Sequence, residues 1–342
     1  ESLRLVVSRP QPAPGRYLVA DHARLALTAG ETSEVAVLNF QVRASQGGPF
    51  SFTLPAGVEV RDFTVDGRSV PLRRPDQPGA APPTLTAPLS AGNHDLGVSW
   101  SRDKPLGPVT GTPELDLGLP TANVTATLTL PETRWILWTW GPLQGPAVQF
   151  WSLLAVTFLA ALFLGRLKNT PLGRSSWFLL SWGLIQLDLI GALAVVGWLL
   201  ALARRRRKAA QTPFWFNCGQ VGLALWTALA LALIYLGIKD GLLRNPDMLI
   251  AGGGSYGQNL GWFTDRVDGP WPAGRVLSIP VGCYKALMLA WSLWLAGSLI
   301  GWLKWGWSAF SADGFWRPKP PRAGRNRSPE AAPPSAENQN EA

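Results

Sequence analysis

Four long apolar runs occupy the second half of the chain and constrain its fold more than anything else. They cover residues 147–165, 176–203, 216–238 and 281–303, and each is rich in Leu, Ala, Gly and Trp. At 1.5 Å per residue, about 20 apolar residues span the hydrocarbon core of a bilayer. The expectation is an α-helical transmembrane bundle over residues 135–311. Trp135, Trp138, Trp140 and Trp151 gather at the start of the first run, and Trp302, Trp305 and Trp307 at the end of the last. Such rings suit headgroup depth, where one edge is wet and the other apolar.

Charge supplies an expected orientation. Residues 1–146 hold 12 basic and 13 acidic residues, so the net charge of +9 resides in the second half. Nucleic-acid binding is the usual reading of a basic chain. Here the positive charge flanks the apolar runs instead, and the expectation is no nucleic-acid partner. Arg166, Lys168 and Arg174 follow the first run, Arg204 to Lys208 follow the second, and six basic residues lie from Lys304 onward. Residues 239–280 balance four basic against four acidic residues. The positive-inside rule then puts 166–174, 204–213 and the tail in the cytoplasm. The front domain and an outer loop at 239–280 lie on the other side. A single crossing by 176–203 would strand one basic cluster on the wrong side. A hairpin turning near Gln186 to Gly191 removes the conflict, and one long tilted helix is the alternative.

Residues 1–134 read at period two. Leu25-Ala26-Leu27, Val35-Ala36-Val37-Leu38, Phe50-Ser51-Phe52 and Val124 to Leu130 are short alternating or apolar runs separated by Gly, Pro, Asn and Asp. Asp66-Gly67 carries the signature of a type I′ hairpin turn. The expected fold is an all-β, sandwich-like extracytoplasmic domain ahead of the helices. Residues 312–342 turn to Pro, Ala, Asn, Glu and Arg, too polar to bury a core. That composition predicts a disordered cytoplasmic tail whose basic front half can touch anionic headgroups. The short run Leu3 to Val7 is no signal peptide, so an export signal is expected upstream of Glu1.

Candidate chemistry is sparse. Asp188 is the one acidic residue inside an apolar run, with Gln186 beside it. Burying such a group at a helix centre costs about 2.5–3.5 kcal/mol, so it marks either an ion path or a hairpin tip. In 239–280, Gly252-Gly253-Gly254-Ser255-Tyr256-Gly257 invites comparison with phosphate-cradling loops. It lacks the following Lys-Ser/Thr and reads as a bend. Trp262, Asp265 and Arg266 resemble an interfacial segment with a polar face, and with Gln186, Asp188 and Tyr256 they complete the candidate binding residues. His22 and His94 each stand beside an Asp, but adjacent strand residues point to opposite faces and make no dyad. Cys218 and Cys283 form neither a disulfide framework nor a metal site. No catalytic residue, metal or cofactor is expected.

The segments Gly254-Ser255-Tyr256-Gly257, Leu260 to Arg266 and Val276 to Pro280, continuing from Tyr284 to Trp307, resemble the C-terminal membrane portion of a family of large, uncharacterised proteobacterial envelope proteins. Trp135 to Trp151, with Gly141-Pro142 and Gly145-Pro146, is similar to the same family. The resemblance covers about residues 110–317 and brings no catalytic or binding residues with it. It implies a bacterial inner membrane and a longer parent chain with more β-rich material upstream. The favoured function is a membrane-anchored structural or interaction protein whose partners are the lipid bilayer and other envelope proteins. The alternatives are a transporter or channel component using Gln186 and Asp188, and a membrane enzyme on lipid or glycan substrates using Asp265 and Arg266.

Overall fold

A computed structural model describes residues 15, 17–71, 82–167, 170–185, 187–205, 212–312 and 314–318. The strands β1 (Leu18–Ala29), β2 (Ser33–Ala44), β3 (Gly48–Thr53), β4 (Glu59–Val65), β5 (Arg68–Ser69) and β6 (Thr84–Leu89) come first. They are followed by β7 (Gly92–Asp103), β8 (Val109–Gly111), β9 (Thr121–Thr129), β10 (Arg134–Trp140) and β11 (Ala147–Val148). Helices α1 (Phe150–Leu164), α2 (Arg174–Leu184), α3 (Leu189–Arg205) and α4 (Pro213–Leu243) follow. The chain then returns to strand as β12 (Ile250–Ala251), β13 (Asn259–Val267) and β14 (Arg275–Pro280), and ends in α5 (Val281–Ser311).

The period-two pattern becomes a seven-stranded sheet in the order β13-β9-β1-β2-β7-β4-β5. Its neighbours are antiparallel except for the parallel pair β1 and β9. Alternation along β1, β2 and β7 puts Leu25, Leu38, Val98 and Trp100 on one buried face. The two-stranded sheet of β3 and β6 covers part of that face. Phe52 of β3 meets Phe40 of β2 edge-on at 5.5 Å and Phe63 of β4 at 6.0 Å. The turn at Asp66-Gly67 has positive φ at both residues, 51° and 74°, as a type I′ hairpin requires. A large β-sheet domain followed by helices is therefore the architecture.

Two expectations need correction. Residues 239–280 are not an outer loop. They continue α4 to Leu243 and then supply three strands to the β-domain. β13 pairs antiparallel with β9, placing Leu260 opposite Leu128 and Trp262 opposite Ala126. β14 pairs with both β10 and β8. Leu260 and Trp262, two residues apart with Gly261 between them, are the buried face of a strand rather than an interfacial segment. Both side chains are almost completely buried. Gly252, Gly253 and Gly254 take positive φ here. A Cβ on Gly252 would lie 2.7 Å from the carbonyl oxygen of Gly145, so this glycine run is a close backbone crossing. The second correction follows: the β-domain does not stop at residue 134, because β10 and β11 belong to it.

The apolar runs are helical, with one division. Residues 176–203 form two helices, α2 and α3, separated at 185–188. The side chain of Asp188 accepts a hydrogen bond from the Gly191 amide at 2.9 Å and so caps α3. α1 and α2 lie antiparallel, with Phe158 on Phe178 and Phe150 on Trp182. α3 and α4 do too: Arg205 lies over the ring of Phe216 at one end, and a Cβ on Gly191 would lie 3.6 Å from Leu233 Cδ2 at the other. Between them Trp198 Nε1 donates to Thr227 Oγ1, and Trp226 Nε1 to the Ala194 carbonyl. Trp291 of α5 donates to the Leu179 carbonyl of α2. α1, α3 and α5 thus lead away from the β-domain, while α2 and α4 lead back. Two of these helices, α4 and α5, are long and apolar enough to cross a membrane, each 31 residues long. In their most apolar stretches only 22% and 28% of the residues are buried. α1 is apolar but has 15 residues.

Candidate functional site

The register of the central strands builds the most developed polar feature of the β-domain. Arg24 pairs with Asn39, Asn39 with Gly97 and Gly97 with Thr64, so one rung crosses β1, β2, β7 and β4. The neighbouring rung sets Gln41 beside Asp95. All of these lie on the face opposite the core. Gly97 is the floor: a Cβ there would lie 2.7 Å from Thr64 Oγ1 and 3.1 Å from Asn39 Oδ1. The result is an open cleft of about 410 Å³ lined by His22, Arg24, Asn39, Gln41, Thr64 and Asp95. His22 reaches the rim because β1 breaks register between Asp21 and Arg24, with His22 at φ 54°. Gln41 Nε2 donates to Asp95 Oδ1 at 3.0 Å, which fixes one wall.

A second constellation buttresses that wall. Asp66 Oδ2 lies 2.7 Å from Nδ1 of His94, and Nε2 lies 3.0 Å from Ser90 Oγ. Asp66 Oδ1 also accepts the Asp95 amide at 2.9 Å. Ser, His and Asp in this sequence of contacts resemble a nucleophile relay. The surroundings of the ring oppose that use. Nε2 also sits 3.2 Å from the Ser90 carbonyl oxygen, an acceptor that calls for an N–H on that nitrogen. With the carboxylate at Nδ1, the geometry favours the doubly protonated ring, which has no lone pair to offer as a base. The hydrogen bond to the Asp66 carboxylate raises the His94 pKa above its usual 6.5, against the opposing effect of burial. The same bond, with the Asp95 amide, holds Asp66 below its usual 3.8. The group is therefore a clamp, tying the β4–β5 turn to the β6–β7 turn beside the cleft.

The residues singled out from sequence are not brought together. Gln186 lies outside the described residues. Asp188 is an exposed helix cap between α2 and α3. Tyr256 is exposed at a tight turn, exchanging two main-chain hydrogen bonds with Asn259. Trp262, expected at an interface, is 2% exposed in the β-domain core. Glycines make room for its ring, and a Cβ on Gly145 would lie 2.5 Å from Cδ1. Asp265 and Arg266 are adjacent on β13, so their side chains leave opposite faces, and Arg266 pairs with Asp268 at 3.3 Å. The pairing of His94 with Asp66 does not show in the sequence because the two residues are 28 positions apart. The turn at Asp66 was legible, but its carboxylate acquires a partner only through the pairing of β4 with β7.

Comparison with known proteins gave no matching family model and no matching curated protein. Among solved structures, the chain is similar to an M1 zinc metallopeptidase from Deinococcus radiodurans. The identity is 15% over 37% of this chain and 34% of the peptidase, with a TM-score of 0.28. A leukotriene A4 hydrolase from Saccharomyces cerevisiae is 13% identical over 37% of this chain and 27% of its own, with a TM-score of 0.25. The chain thus spans about a third of the peptidase chains it matches. Among the described residues, no group of three or more His, Cys, Asp or Glu side chains is placed to hold a metal ion.

Proposed function

We propose that this chain is a membrane-anchored envelope protein of a bacterial inner membrane, holding its β-rich domain on the outer side and presenting it to envelope partners. The observation that carries the reading is the exposure of the long helices. Leu225, Leu229 and Tyr235 on α4, and Leu289, Leu293 and Ile300 on α5, face outward over most of the helix length. Each large apolar side chain left in water forgoes about 1.5–3 kcal/mol of burial, a penalty that lipid removes. The resemblance of residues 110–317 to large envelope proteins points the same way.

The orientation rests on charge. Arg204 and Arg205 end α3, remote from the β-domain, whereas Lys239, Asp240, Arg244 and Asp247 mix signs where α4 returns to it. On this reading α1 runs inward and α2 with α3 forms a short pair of arms entering from the cytoplasm. α4 runs outward and α5 inward. The cleft over Gly97 is the surface offered to partners. The capping role of Asp188 favours anchorage over a channel, and the opposed faces of Asp265 and Arg266 favour it over an enzyme at the interface.

The test is vectorial labelling in spheroplasts, with both native cysteines replaced by Ser. Asn93→Cys, exposed at the start of β7, reacts with an impermeant maleimide added outside. Ser311→Cys reacts only after the membrane is opened. Equal labelling of both from outside, or release of the chain by alkaline carbonate, contradicts the proposal.

A further inference from the structure

The three-stranded sheet of β10, β14 and β8 keeps different company on its two faces. Its inner face carries Ile136 and Val276 into the core of the β-domain, with Ser278 and Thr110 buried on the same side. Its outer face begins on the helices. Trp135 and Ile279 are paired across β10 and β14. Trp135 lies in the buried cluster of the helices, where it meets Tyr284 of α5 at 5.3 Å, and Ile279 packs against that cluster. β10 then bulges, setting Leu137 and Trp138 against the single residue Leu277, so both side chains leave on the outer face. Leu137 still packs on the helices, and its carbonyl accepts Trp151 Nε1 from the start of α1 at 2.7 Å. From Trp138 onward the face runs past the helix ends. One row crosses the sheet as Trp138, Leu277 and Val109, and the next as Trp140, Arg275 and Gly111. Trp138 is 54% exposed, Val109 50% and Trp140 41%. Arg275 is paired with Glu114 at 3.6 Å. The overhang therefore offers apolar surface, two indoles and two aliphatic side chains, and no free charge.

We propose that this overhang rests on the outer leaflet of the membrane, with Trp138 and Trp140 set among the lipid headgroups. The proposal rests on the membrane anchorage argued above. Its direction follows from continuity. The near part of the face touches the starts of α1 and α5, so the rest of it looks toward the plane those helices enter. The composition suits that depth, because an indole joins an apolar body to one N–H for headgroup oxygens. Apolar side chains at an interface gain burial there without requiring a charged lipid. Neither tryptophan belongs to the buried clusters, so neither is needed to hold the fold. Seated in this way, the β-domain keeps a fixed attitude to the bilayer instead of swinging on the helix ends.

The experiment uses the full chain, with both native cysteines replaced by Ser, in phosphatidylcholine nanodiscs. A fluorescent label at Val109→Cys reports on the overhang, one at Asn93→Cys on an exposed part of the β-domain remote from this sheet, and one at Leu293→Cys on the outward face of α5. Quenching by aqueous iodide is compared with quenching by nitroxides fixed at shallow or deep positions of the lipid. The expected result is a Val109 label shielded from iodide and quenched by the shallow nitroxide. The Asn93 label should respond to iodide alone and the Leu293 label to the deep nitroxide. Trp138→Ser with Trp140→Ser should raise iodide quenching at Val109 to the Asn93 level and leave Leu293 unchanged. Adding phosphatidylglycerol should alter none of these. Iodide quenching at Val109 equal to that at Asn93, with Leu293 in lipid, overturns the seat while leaving anchorage standing. Shielding of Val109 that survives the double Ser variant overturns it as well. A seat that forms only with phosphatidylglycerol overturns the apolar contact in favour of a charged one through Arg275. Iodide quenching at Leu293 overturns anchorage, and the seat with it.

Discussion

The β-domain and the helices are both rich in apolar residues, yet they dispose of them in different ways. In the β-domain Leu25, Leu38, Trp100, Leu128 and Trp262 are sealed inside a continuous core. In α4 and α5 the same residue types line the outside, and the residues turned inward include Gln220, Gly237, Tyr284 and Gly306. The first region is built for water, where burial drives folding. The second keeps an apolar interior as well, with Trp198, Leu199, Leu223 and Leu295 among its buried residues, and leaves further apolar side chains outside, as lipid permits. The two regions are joined by more than one peptide. α4 hands the chain back to β12, β13 and β14, and Pro280 ends β14 directly at the start of α5. Trp135 of β10 meets Tyr284 of α5 at 5.3 Å, and its Nε1 donates to the sulfur of Met248 at 3.0 Å. The β-domain therefore closes only after the chain has returned from the helices.

That closure gives the largest expected effect. Trp262→Ala removes the anchor of β13 and should cost about 3–5 kcal/mol. The thermal unfolding of the β-domain in detergent, followed by tryptophan fluorescence and by limited proteolysis between β9 and β10, should shift down steeply. A variant that melts like the parent would show that β13 contributes little to the domain. The contrast itself is sharpened by a matched pair. Leu128→Ala, in the β-domain core, should cost about 2–5 kcal/mol, whereas Leu229→Ala, on the outer face of α4, should stay within about 0.5 kcal/mol. Comparable losses at both positions would mean that α4 packs against protein on its outer face. Smaller again is the cap of α3. Asp188→Ala should destabilise by about 1 kcal/mol and Asp188→Asn should not, because Asn caps equally well. A loss in both variants would point to a use of the charge beyond capping.

The smallest effect is the pH dependence of the clamp. His94 is raised above 6.5, so its contribution is complete below that value and disappears as pH rises through the folded pKa. Asp66 is lowered below 3.8, so its contribution is present above that value and is lost as pH falls through the folded pKa. The clamp is therefore closed between the two. Exchange of the Asp95 amide, bonded to Asp66 Oδ1, should accelerate above the His94 midpoint. A midpoint at or below 6.5 would remove the clamp from the account.

Local pattern made much of this fold legible. Alternation identified β1, β2, β3 and β9, the pair Asp66-Gly67 gave its turn, and the polar break near Asp188 fell where α2 and α3 divide. What failed to show was pairing across long separations. β13 binds β9 from more than a hundred residues away, joining Trp262 to Ala126, with four helices between them. Its alternation was visible, but an apolar and aromatic stretch between two apolar runs fits a membrane interface equally well, and only the free edge of β9 decides. The same cause hid His94. Its neighbour Asp95 was adjacent in sequence and wrong in direction, while Asp66 arrives through the register of β4 on β7.

The central claim is that the outward faces of α4 and α5 lie in lipid. Spin labels at Leu229 and Leu293, compared with labels at the buried Val195 and Met288 in reconstituted vesicles, test it directly through collision with oxygen and with a water-soluble nickel chelate. Substantial oxygen accessibility and little nickel accessibility at Leu229 and Leu293, with neither reagent reaching the buried pair, is the expected result. Strong nickel accessibility at Leu229 and Leu293 would place those faces in water and contradict the account.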